Sequence, residues 1–276
     1  MENESDERKA RAEKAKKKRA AKEKKRADRD APVLGNCALC RKHGELVESH
    51  IIPEFFYTAL YDDKGRAMVL STHPERKHPP LQNGIKEHLL CAYCDNVQFS
   101  RYEDYTARAF TLITEAVEKE KRGTTYIKNA KYTPLKLFFM SLLWRMGIST
   151  RGMFRTINLG EHEEKLRLAL LAETPLAPTD YPVCVRAIFL QGEFLKQFTC
   201  ELPPPIDVPN AISFAVQGFR FDMFTTLPAG AKESALLSLD GNLPIFRTNV
   251  EDESLLEAYI LWQYANHEKK KNPSQK

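Results

Sequence analysis

Long hydrophobic runs are missing from this chain of 276 residues. The longest, Leu137–Trp144, is interrupted by Ser141. A membrane-spanning helix needs roughly 20 consecutive apolar residues, so no span is expected. No apolar segment follows the basic start, and no secretory signal peptide is expected either. Unpaired cysteine is scarce: of six cysteines, Cys184 and Cys200 alone stand outside Cys-x-x-Cys pairs. These absences point to a reducing, cytoplasmic setting, in which paired cysteines favour metal over disulfide. Internal repeats are absent, which argues against a solenoid. A charge excess is also missing from most of the chain, because residues 31–276 carry 29 basic and 29 acidic side chains.

The net charge of +5 therefore resides in residues 1–30, with 13 Lys/Arg against 8 Asp/Glu and almost nothing apolar beyond alanine. Such a composition favours helix locally but offers no apolar stripe to bury. Residues 1–32 read as a basic arm, disordered or marginally helical. Its clusters, Lys16, Lys17, Lys18 and Arg19, then Lys24, Lys25 and Arg26, suit salt-sensitive attraction to nucleic acid.

Cys37-x-x-Cys40 and Cys91-x-x-Cys94, with fifty residues between them, organise the stretch after the arm. Two such pairs supply four thiolates to one tetrahedral zinc, and an all-thiolate site is closed and structural. Pro53–Tyr61 reads as a short helix with Pro in its first turn. Residues 62–88 read as a long loop or loose hairpin in which Gly84 permits a turn. A helix is expected from Cys91 toward Lys121. Pro134 opens a helix over 135–147 that is apolar nearly all round and reads as core. Residues 161–173 form an amphipathic helix. Residues 181–191, 211–217, 219–227 and 243–247 read as strands of a mainly antiparallel sheet. A last helix is expected over 251–267. The fold class is α+β, divided into the arm, a zinc-scaffolded module over 33–121 and an α+β C-terminal domain over 122–276. Cys184 and Cys200 are expected to be buried and inert, and His73, His78 and His88 to lie on loops or surface.

Between the cysteine pairs stands Ser49-His50-Ile51-Ile52-Pro53. Together, Cys37-x-x-Cys40, this His-Ile-Ile-Pro run and Leu90-Cys91-x-x-Cys94-Asp95-Asn96 resemble the HNH endonuclease family with its ββα-metal motif, over about residues 35–105. The resemblance implies a metal-dependent endonuclease acting on DNA, in prokaryotes suited to defence against foreign DNA. It makes His50 the general base, a role that suits a side chain titrating near neutrality. It makes Asn83 the residue orienting that base, and Asp95 and Asn96 ligands to a catalytic Mg²⁺ or Mn²⁺ distinct from the structural Zn²⁺. Glu103, about two turns beyond Asn96, would support those ligands from behind. The sequence departs from the family at Ser49, where Asp or His is usual, and strand alternation puts Glu48 on the same side as His50. Two other readings stay open. One is a zinc-scaffolded nucleic-acid-binding module without catalysis. The other is a protein-interaction module that meets a partner, or a second copy, through the C-terminal domain.

Overall fold

The fold is α+β. The computed structural model describes Arg19 and residues 31–58, 60–61, 66–67, 70–71, 81–82, 84–120, 123–201 and 211–250. The expected helix over 251–267, and the arm apart from an exposed Arg19, lie outside them.

β1 (Val33–Asn36) and β2 (His43–His50) form an antiparallel hairpin whose last pair is Asn36 and His43. A short helix, α1 (Phe55–Thr58), follows Pro53. The stretch read as a loop contains β3 (Arg66–Ala67), β4 (Leu70–Ser71) and β5 (Leu81–Gln82), with β3 and β5 antiparallel. It ends in a longer strand, β6 (Lys86–Cys91), which pairs antiparallel with β2. Lys, Glu and His are poor strand formers, so pairing with β2 decides this segment against its own composition. The helix expected from Cys91 starts one residue later, at Ala92, because Cys91 still belongs to the ladder opposite Leu46. After Ala92 and Tyr93 it passes through a π-helical turn, Cys94–Phe99, and continues as α2 (Ser100–Lys119). Tyr102, Thr106, Phe110, Ile113 and Val117 make the buried stripe of α2 at three- and four-residue steps.

After β7 (Thr125–Ile127) comes α3 (Tyr132–Ile148), with every residue from Leu135 to Met146 buried. This is the central helix that its composition predicts, but Lys136, Ser141 and Arg145 are buried with the rest. Lys136 Nζ donates to the main-chain oxygens of Asp180 and Tyr181. Ser141 Oγ donates to Phe138 O at 2.8 Å. α4 (His162–Leu171) packs on α3.

The remaining strands are β8 (Val183–Leu190), β9 (Glu193–Phe194), β10 (Cys200–Glu201), β11 (Ile212–Val216), β12 (Phe219–Met223) and β13 (Leu243–Asn249). They join β4 and β7 in an eight-stranded sheet ordered β4-β10-β11-β12-β8-β13-β7, with β9 paired to β8. Most pairs are antiparallel; β4 with β10 and β8 with β13 are parallel. One strand from the expected loop thus enters the C-terminal sheet. One sheet face carries Val185, Phe214, Phe219 and Phe221 into a core shared with the helices. Phe56 of α1 meets Phe110 at 5.2 Å, Phe221 at 5.5 Å and Phe138 at 6.2 Å between ring centroids. The opposite face holds a polar seam, in which Asp222 accepts from Ser213 Oγ at 2.6 Å, from Arg220 Nε at 2.8 Å and from Arg186. Cys184, opposite Asp222 in the register, sits on this seam and is half-buried, where full burial is expected. No helix among the described residues is long and apolar enough to cross a membrane.

Candidate functional site

The β2–β6 hairpin and the helix after it carry the candidate site. The first cysteine pair sits in the turn joining β1 to β2. There Cys37 N donates to Lys42 O and Arg41 N to Cys37 O, both at 2.9 Å, and Arg41 takes a left-handed φ of 63°. That geometry turns both thiols to one side. The register of β2 on β6 shifts between Val47 and Glu48, which leaves Leu89 as an extra residue. A bulge redirects the local backbone. Here the Leu89 carbonyl accepts from Ala38 N at 2.8 Å, tying the first cysteine turn to β6. Cys91, at the end of β6, and Cys94, opening the π-helical turn, complete the set.

The four Sγ atoms lie within 4.8 Å of one another, and Cys40 and Cys91 are 3.9 Å apart. A tetrahedron with Zn–S near 2.3 Å needs sulfur separations of about 3.8 Å. The geometry and the all-sulfur donor set therefore fit a structural metal ion such as zinc. Burial, and then the neighbouring thiols led by Cys91, push the Cys94 thiol well above its usual range. A bound divalent cation reverses that balance, since it requires thiolates. α4 braces the cluster from outside. Arg167 donates to Leu39 O at 2.6 Å and grips Glu164 at 2.6 and 2.7 Å, while Arg41 approaches Glu164 at 3.5 Å. Arg167 also places positive charge beside Cys40, which offsets the excess negative charge that four thiolates give a zinc site.

His50 ends β2, opposite Lys86 and at the far end of the hairpin from the Leu46–Cys91 pair. Ile51 N donates to Ile85 O at 2.9 Å and carries the ladder one rung further. The imidazole lies partly exposed, with Nε2 3.7 Å from Glu54 Oε2. It packs against Gly84, where an added Cβ would come within 3.0 Å of the ring, and where φ is +70°. Glycine is needed there on both counts. Ser49 is fully buried beneath the strand, whereas Glu48 is exposed, so the alternation expected for 48–50 is present.

The sequence-derived candidates are brought together unevenly. Glu103 pairs with Arg145 (Nη1 to Oε1, 2.7 Å), and the same Nη1 donates to His50 O at 2.7 Å. Burial raises the Glu103 carboxyl above its usual range. Arg145 opposes that shift, and the charges of Asp95 and Asp104 add to it. Asp95 is thus an electrostatic neighbour of Glu103, half-buried, while Asn96 is exposed. His88 is half-buried opposite Glu48. Asn83, His73, His78, Lys16, Lys17, Lys18, Lys24, Lys25 and Arg26 lie outside the described residues. Among the described residues, the four cysteines form the one cluster of three or more Cys, His, Asp or Glu whose ligand atoms converge.

Arg145 is the residue that sequence reading passed over. Its signal was available: an arginine within a helix that is otherwise apolar all round is almost never fully buried without a partner. A second overlooked contact lies at the same end of the hairpin. Glu87, opposite Ser49, accepts from Ser149 Oγ at 2.7 Å, from Thr150 Oγ1 at 2.6 Å and from Thr150 N at 3.1 Å.

Comparison of the chain with family models, with curated proteins and with solved structures finds no match.

Proposed function

We propose that the protein is an HNH-type endonuclease that hydrolyses phosphodiester bonds in DNA. The observation that carries this reading is the order of parts. An antiparallel hairpin and a following helix are joined at a four-cysteine cluster, and the hairpin bears a partly exposed histidine at the end away from the cysteines. His50 takes the proton from the attacking water, and Glu54, 3.7 Å from Nε2, favours the imidazolium that results. Asp95 and Asn96 offer hard oxygen donors suited to Mg²⁺ or Mn²⁺, ions commonly held by one or two protein groups with water and substrate phosphate completing the shell. Such an ion supplies charge stabilisation at the phosphate. The four cysteines hold the hairpin against the helix and take no part in the chemistry. The basic arm adds attraction to the DNA backbone. A cytoplasmic role in defence against foreign DNA belongs to this reading.

One observation favours a second reading. Ser49 faces the interior, and no carboxylate stands at its position. A zinc-scaffolded module that binds nucleic acid or a protein without cutting is consistent with that.

Plasmid nicking with Mg²⁺ or Mn²⁺, measured beside DNA affinity, separates the two. The nuclease reading expects His50→Ala to lose about 10²–10⁴-fold in rate at unchanged affinity. A wild-type protein that binds DNA and cleaves it with neither metal establishes the second reading.

A further inference from the structure

Arg145 is 1% exposed, in the last turn of the most apolar helix among the described residues. Burying a guanidinium is expensive, and a buried ion pair is often no more stabilising than apolar residues of similar volume. Stability alone is therefore a weak reason for this arrangement. The contacts suggest another. A single nitrogen, Nη1, meets both Glu103 on α2 and the carbonyl of His50 on β2, each at 2.7 Å. Nε and Nη2 turn back to Ser141 O and Ser141 Oγ, both at 3.4 Å, and the guanidinium carbon lies 5.3 Å from the centre of the Phe99 ring. The side chain is fixed from its own helix and from the π-helical turn. Its hydrogen bond to β2 goes to the main chain of His50 itself.

We propose that Arg145 is a positioning residue for His50. By bridging Glu103 and the His50 carbonyl, it fixes where β2 ends and hence where the imidazole stands. The bridge also links α3, whose Phe139 packs on Phe221 of the eight-stranded sheet, to the proposed base. This inference rests on the nuclease reading for its functional meaning but not for its geometry, and the two are tested separately.

The geometric test is NMR of the His50 ring, assigned with His50→Ala, recording ring shifts and titration in full-length protein. Arg145→Lys keeps the charge but cannot reach both partners in the same geometry. The double variant Arg145→Met/Glu103→Leu removes both charges at similar volume and guards against a single variant that fails to fold. Lys136→Met, on the same helix but held by Asp180 and Tyr181, is the control. The expected result is a displaced His50 ring signal and a shifted titration midpoint in Arg145→Lys and in the double variant, with neither change in Lys136→Met. An unmoved His50 in both Arg145 variants, or an equal displacement in Lys136→Met, overturns the proposal. In the nicking assay, Arg145→Lys is expected to lower kcat roughly 100-fold with KM unchanged. An unchanged kcat in a folded Arg145→Lys overturns the positioning role even if the wild type is active. A wild type without activity defeats the nuclease reading and leaves the NMR result to decide the geometry.

Discussion

Four thiols converge at one end of the β2–β6 hairpin, while at the other end α3 reaches across with Arg145, Ser149 and Thr150. The two attachments lie several rungs apart on the same pair of strands, and they work by different physics. At the cysteine end Cys40 and Cys91 are half-buried against the core, and the four thiols form a cluster that could hold a metal ion such as zinc. The α3 end needs no ion. It combines a buried guanidinium–carboxylate pair with a carboxylate capped by two hydroxyls and an N–H, beside a large aromatic core. With a metal ion held there, the first arrangement would be all-or-none, since losing one ligand opens a tetrahedral site. The second is graded, since each contact can be removed separately.

The largest effect is expected from removing the metal. Structural zinc contributes about 10–16 kcal/mol in small zinc-finger peptides, comparable with the whole stability of a domain, about 5–15 kcal/mol. Strong chelation, or Cys91→Ser, is expected to unfold β1, β2 and β6 together. Metal analysis should fall from one ion per chain to none, with loss of the hairpin's NMR signals. Chelated protein that keeps those signals would show that the α3 end suffices, and the contrast would collapse. Next in size is Arg145→Met, which strands the Glu103 carboxylate in the interior. A cost of about 3–5 kcal/mol is expected in denaturant melts, with most of it recovered in Arg145→Met/Glu103→Leu. A double variant as unstable as the single one would mean that the bridge contributes through packing and not through charge.

The two ends were also unequally legible in the sequence. Cys-x-x-Cys spacing is a local signal, and sulfur's preference for tetrahedral ions makes four such residues point to one site. The helices over 100–119, 132–148 and 162–171 could be read from apolar period and from Pro134, and the later strands from Val, Ile and Phe between turn residues. The α3 end could not be read in this way. It joins residues 50, 103 and 145, and residues 87, 149 and 150, which no periodicity connects. β6 was hidden for a related reason, because Lys86-Glu87-His88 resembles a loop until β2 lies beside it. β4 was invisible too, as its partner β10 is far away in the sequence. The π-helical turn at Cys94–Phe99 carries no compositional mark that separates it from the α-helix it precedes.

A smaller change tests whether the α3 end sets the histidine through its surroundings as well as through its main chain. Gly84→Ala places a methyl against the His50 ring at a positive φ. It is expected to cost about 1–2 kcal/mol and to shift the His50 ring signals while leaving metal content unchanged. A variant that alters metal content instead would mean that the two ends are not independent.

The smallest effect concerns Glu87 and is read through pH. Its carboxylate lies beside the C-terminal end of α3, where the helix dipole disfavours negative charge. Burial also pushes its pKa up, but hydrogen bonds from the Thr150 and Ser149 side chains and from Thr150 N outweigh that, and the net shift is downward from 4.5. A carboxylate with a depressed folded pKa contributes stability that is fully present above its unfolded value and is lost as pH falls through the folded one. Glu103 runs the other way, since its raised pKa makes the ionised form costly and relieves the fold as pH falls toward 4.5. Glu87→Gln is therefore expected to cost about 1 kcal/mol at neutral pH and to flatten the loss of stability below pH 4.5. Glu103→Gln should leave that acid limb in place. Melts of the two variants across this pH range separate the contributions, and an acid limb unchanged in Glu87→Gln would remove the capped carboxylate from the α3 attachment and leave Arg145 to hold that end alone.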